Sequence, residues 1–191
     1  MATTIPSIAC LGVIGRNNNP LHITIFPSYD STMQTFAPVR TPLQFSLLLS
    51  GTLDVFGRQQ QHASSSSNPS ATSASLLLHA VDDRLAAYGF ETNTGVKFVA
   101  VVDMRGRSSS LLKSAVAGGN VGVGVGVGGL RDSELKPVFR AMQTAYVRLL
   151  QNPFYDPDES TGGKKRITSQ RFADEMKRIG ESWVPGATTA L

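Results

Sequence analysis

The stretch "YGFETNTGVKFVAVVD", Tyr88 to Asp103, decides the fold. Two runs suited to strands are joined by Asn93-Thr94-Gly95, and asparagine and glycine in so short a link signal a hairpin. The run from Val96 to Asp103 is almost wholly apolar, so it belongs in the middle of a sheet. The run before it, Arg84 to Thr92, pairs with it as a neighbour. Asp82-Asp83 turns back to another short strand, "LLLHAV" (Leu76–Val81).

Two further strands lie near the start. Ser7 to Ile14 is apolar and partly β-branched, a strand buried on both faces. "RNNNP" (Arg16–Pro20) forms the turn, and Leu21 to Phe26 follow. There Leu21, Ile23 and Ile25 alternate with His22, Thr24 and Phe26, so the strand is half buried. Pro27 to Arg40 reads as a loop.

Three helices complete the pattern. Thr41 is a suitable N-cap and Pro42 a suitable first residue. Phe45, Leu48, Leu49, Thr52 and Phe56 then repeat at helical spacing, with Gly57 a plausible stop. Gly51 inside this helix costs about 1 kcal/mol relative to Ala, and a close approach by the sheet or another chain would explain it. In the second helix Leu135, Val138, Phe139, Met142, Ala145, Tyr146, Leu149 and Leu150 hold one face. Pro137 is tolerable only in its first turn. Ser169 caps a third helix, with Phe172, Met176, Ile179 and Trp183 on one face. The order ββαβββαα is that of an α/β (α+β) protein, one sheet with helices on both sides.

Composition bounds the function. The chain has 191 residues, 41% hydrophobic and 17% charged, with a net charge of +4. One domain over 1–191 accommodates this. Low-complexity insertions are expected at about 61–75, 105–130 and 158–168. Cys10 is the only cysteine and there are three histidines, so neither a disulfide nor a dense zinc cluster is expected. The first residues lack the basic region and cleavage site of a signal peptide. No stretch approaches the roughly 20 apolar residues of a membrane span.

One string suggests a cofactor. "AGGNVGVGVGVGGLRD" (Ala117–Asp132) contains Gly-x-Gly-x-x-Gly at Gly124, Gly126 and Gly129. A dinucleotide fingerprint is the tight turn between a strand and its helix in a parallel unit. Here the strand ends about 20 residues too early, no strand follows the helix, and the expected acid would fall inside an apolar helix face. The match is an accident of a Gly-Val repeat. "GGKKR" lacks the first glycine and the Ser/Thr of a phosphate-binding loop. No catalytic residue, cofactor site or metal site is expected. Asp54, beside apolar Leu47 and Val55 on the first helix, is the candidate contact with a partner.

"YGFETNTGVKFVAVVD", "LRDSELKPVFRAMQTAYVRLLQNPFYDP", "ITSQRF" and "TLDVF" together resemble the sedlin family of TRAPP (transport protein particle) subunits, in particular its branch of subunit 2-like proteins. The turn motif Asn152, Pro153, Phe154, Tyr155 and Pro157 is the most specific piece. The resemblance implies a longin-like (SNARE-like) domain: a five-stranded, mostly antiparallel sheet, with one helix on one face and two on the other. It implies a non-catalytic assembly or adaptor subunit that touches other TRAPP subunits and, indirectly, a Rab GTPase. That subunit would act in ER-to-Golgi and Golgi vesicle traffic, cytoplasmic and at the membrane only through its complex, with no nucleic-acid partner. The alternative is another longin-like trafficking module, such as an adaptin small chain or a SNARE regulatory domain. A SNARE would need a heptad helix and an anchor after the domain. Phe154 and Tyr155, stiffened by Pro153 and Pro157, are expected to dock into the core.

Overall fold

The computed structural model describes residues 4–30, 33–63, 76–108, 130, 132–155 and 166–186. Its strands are β1 (Thr4–Ile14), β2 (Pro20–Ile25), β3 (Ser28–Asp30), β4 (Thr35–Ala37), β5 (Leu76–Ala80), β6 (Leu85–Glu91) and β7 (Lys97–Ser108). Its helices are α1 (Pro42–Ala63), α2 (Asp132–Leu150) and α3 (Gln170–Ser182). Five strands form one sheet in the order β2-β1-β7-β6-β5, with every pairing antiparallel. The β6–β7 hairpin turns at Gly95, whose φ of 78° lies in the left-handed region that glycine tolerates.

The central strands alternate cleanly. On β7, Phe98, Ala100 and Val102 join the core beneath α2 and α3, while Val99 and Val101 join the core beneath α1. β1 obeys the same rule with one break. Ile8 faces α2 and α3, and so do Leu11 and Val13, because a register shift between Ile8 and Cys10 reverses the parity. One helix therefore covers one face of the sheet and two cover the other, as expected.

Several boundaries differ from the sequence expectation. Residues Pro27–Arg40 are not wholly loop: β3 and β4 pair as a separate two-stranded ribbon, so the order among the described residues is ββββαβββαα. Strands of three residues carry too little alternation to register as a pattern. Tertiary contacts hold the ribbon instead: Arg84 Nη2 donates to the carbonyl of Tyr29 at 3.3 Å, and the ring of Phe36 meets that of Tyr29 edge-on at 5.4 Å. On β2 the alternation fails at Leu21, which is buried on the α3 side with Phe26, away from Ile23 and Ile25. A register shift opposite Val13/Ile14 leaves Leu21 unpaired and turns it over.

Gly57 does not stop α1, which runs on to Ala63, so the first insertion begins later than residue 61. At the other end Thr41 and Gln44 close a reciprocal capping box, with Thr41 N to Gln44 Oε1 2.9 Å and Gln44 N to Thr41 Oγ1 3.3 Å. Pro137 lies in the second turn of α2, since the helix starts at Asp132. Ser169 caps α3 by accepting from Phe172 N.

The second expected insertion also begins too early. β7 continues to Ser108 and pairs with the start of β1. From this extension Arg107 donates to the carbonyls of Glu181 at 2.8 Å and Trp183 at 3.4 Å. A cation there satisfies carbonyls at the end of α3 and complements its dipole. The third expected insertion ends in core structure: Ile167 is buried, and its N–H donates to the Leu21 carbonyl at 2.8 Å.

Candidate partner-facing surfaces

α1 packs through Phe45, Leu49, Thr52 and Phe56, all buried. Phe56 sits over Gly89 of β6, where a side chain would collide with it. The opposite face is open and apolar. Leu43 is 80% exposed and Leu47 74%, and Gly51 and Asp54 continue the same line at helical spacing. A methyl group at Gly51 would meet nothing within 4 Å, so its own sheet does not require the glycine. That half of the expectation is overturned.

The three expected interface residues are not one surface. Leu47 and Asp54 share the outer line, and Asp54 is exposed with no hydrogen bond or ion pair among the described residues. Val55 is partly buried and packs on the core beneath α1, because one residue past Asp54 turns about 100° around the helix.

The turn after α2 holds a second correction. Asn152 accepts from Tyr155 N through its carbonyl at 3.0 Å and from Phe154 N through Oδ1 at 3.1 Å. Tyr155 is partly buried against the core, while Phe154 is 93% exposed. The expectation that Phe154 docks into the core is therefore wrong. The turn directs Tyr155 alone toward the protein. Asn152 and Pro153 are exposed, and Pro157 lies outside the described residues.

Beside this turn, between the end of α2 and the start of α3, lies a cavity of about 610 Å³. Ala145, Leu149 and Phe172 form its apolar floor. Spacing alone gave no sign of it, since its walls come from two helices separated in the chain.

Two groups that could do chemistry, Cys10 and His22, are packed into the protein. Cys10 is fully buried, and burial pushes its thiol up to about 12, so it stays protonated at neutral pH. His22 has its ring edge on Phe172 at 5.2 Å and its Nε2 2.9 Å from Thr24 Oγ1. Burial lowers its pKa, so the imidazole is held neutral. The side chains of His62 and His79, and the glycines Gly124, Gly126 and Gly129, lie outside the described residues. Among the described residues no group of three or more His, Cys, Asp and Glu could hold a metal ion. Nor is any helix there long and apolar enough to cross a membrane.

The chain folds as an antiparallel sheet carrying α1 on one face and α2 and α3 on the other. The Sedlin family model matches residues 13–182, and the chain belongs to that family. Among its relatives is a Dictyostelium discoideum protein named trafficking protein particle complex subunit 2-like protein. It is 27% identical over 172 residues, which cover 90% of this chain and 95% of the relative. Proteins of the same name from Mus musculus and Rattus norvegicus are each 28% identical over 163 residues, covering 85% of this chain and 89% of theirs. The mixed α/β architecture, with three helices among the described residues, is consistent with the longin-like fold expected of the family.

Proposed function

We propose that this chain is a non-catalytic assembly subunit of the trafficking protein particle complex, working through surfaces. The family and the names of the relatives support this reading. The observation that carries it is the outer face of α1, where Leu43 and Leu47 stand largely exposed in line with Asp54, which has no partner among the described residues. Large aliphatic side chains grouped in solvent mark a contact surface. A carboxylate among them sets register by meeting a donor or cation on the partner.

In this role the subunit supports the Rab exchange activity of the complex in ER-to-Golgi and Golgi traffic. It reaches the membrane only through its complex and takes no nucleic acid. The test is Asp54→Tyr in cells carrying the tagged chain. The variant should keep near-native circular dichroism and melting temperature, yet copurify less of the complex. Loss of stability together with binding would instead mean that Asp54 holds α1 to its own domain. Undiminished copurification would remove Asp54 from the interface.

A further inference from the structure

Among the described residues, the cavity between α2 and α3 carries more side-chain N–H donors than acidic acceptors. Arg171, on the first turn of α3, is exposed and makes no bond among the described residues. Arg148 reaches Glu175 at 2.7 Å through Nη1 and keeps its other N–H groups for the rim. Asn152, also in the lining, uses its Oδ1 on Phe154 N, and its amide hydrogens have no partner among the described residues. Among the described residues Glu175 is the only acid lining the cavity, and it already answers Arg148 and, at 3.9 Å, Arg178. The rim is therefore net positive above an apolar floor. At its edge Phe154, whose N–H is held by the lining residue Asn152, is 93% exposed.

We infer that this cleft takes an acidic, aliphatic-bearing segment of a protein partner, at a site separate from the outer face of α1. A carboxylate of the segment would lie between the guanidinium groups of Arg171 and Arg148, where both partners of each hydrogen bond are ionised. An aliphatic side chain would enter over Ala145, Leu149 and Phe172. Neighbouring residues of the segment would cover Phe154. A polypeptide fits better than an isolated anion for two reasons. A bare anion would leave the 610 Å³ cavity and its apolar floor unfilled. It would also leave Phe154 in water.

The test uses the purified full chain and a soluble peptide mixture randomised among Asp, Glu, Leu and Phe. A matched mixture carries Lys in place of the acids. The acidic mixture should be retained and the basic one should not. Arg171→Glu should weaken retention by about tenfold, and Phe154→Ser should weaken it measurably. Both residues are exposed, so both variants should keep the wild-type melting temperature. Arg58→Glu, an equal charge change on α1, should have little effect. Equal losses with Arg58→Glu and Arg171→Glu would mean unlocalised attraction to a cationic protein and would overturn the proposal. So would equal retention of the two mixtures. Flotation on phosphatidylserine vesicles that depends on Arg171, with no peptide retention, would make this a lipid-facing surface instead. None of these outcomes bears on copurification through α1, so the two readings fail separately.

Discussion

Arg84 grips the fully buried carboxylate of Asp103 with two parallel bonds, Nε to Oδ1 and Nη2 to Oδ2, each 2.8 Å long. The same guanidinium holds the Tyr29 carbonyl, so one side chain ties β6, β7 and the β3–β4 ribbon together. The hydrogen bond to Asp103 raises the Arg84 pKa, and the arginine is charged at every accessible pH. The Arg105 N–H adds a third bond to the carboxylate at 3.0 Å.

Removing Arg84 would leave the buried Asp103 side chain without its ionic partner. Arg84→Met should cost about 3 kcal/mol, measured by urea denaturation. Asp103→Asn together with Arg84→Met should recover part of that loss, because no buried charge remains. A single-variant loss below about 1 kcal/mol would show that water or other donors replace the guanidinium.

The turn motif divides into a structural and an exposed half. Tyr155→Ala should destabilise the protein by about 2 kcal/mol, since it removes a ring packed on the core. Phe154→Ala should change stability by less than about 0.5 kcal/mol, as exposed substitutions do. The reverse ranking in thermal melts would mean that Phe154 is buried in solution.

Gly51 weakens α1 without any steric need inside this chain. Gly51→Ala should therefore stabilise the isolated protein by about 1 kcal/mol. If a partner approaches the outer face closely there, the same variant should copurify less of the complex while melting higher. A variant that is more stable and binds as well as wild type would show that the glycine serves no contact.

Cys10 makes stability depend on pH in alkali. Its thiol is raised from 9.0 to about 12 by burial. In the unfolded chain it ionises near 9, so the unfolded state loses its proton first. The stabilising contribution is complete below pH 9 and is lost as pH rises toward 12. The slope reaches about 1.4 kcal/mol per pH unit for one proton. Urea melts at pH 8, 9 and 10 should show this fall, and Cys10→Ala should lack that component. At pH 8 iodoacetamide should leave the folded protein unmodified and alkylate it once urea unfolds it. Rapid alkylation of the native chain would contradict the burial.

The sequence by itself determined the elements with long, regular periods. Strands β1, β6 and β7 and the inner faces of all three helices were legible because each repeats its apolar residues over many positions. The caps at Thr41 and Ser169 were legible because they act within a few residues. The family was legible from short motifs such as the turn at Asn152 to Tyr155, and the shared line of Leu47 and Asp54 on α1 follows from helical spacing alone. Tertiary structure decided the rest. The β3–β4 ribbon is too short to show a pattern and exists because Arg84 and β7 hold it. Bulges between Ile8 and Cys10 and at Leu21 reverse which face a residue takes, and they depend on the neighbouring strand. Val55 and Asp54 are adjacent in sequence, yet the helix sends one to the core and the other to water. Asn152 turns Tyr155 inward and Phe154 outward by using both their N–H groups. The cleft of Arg148 and Arg171 exists only because α2 and α3 pack side by side, bringing together two charges that no local spacing relates.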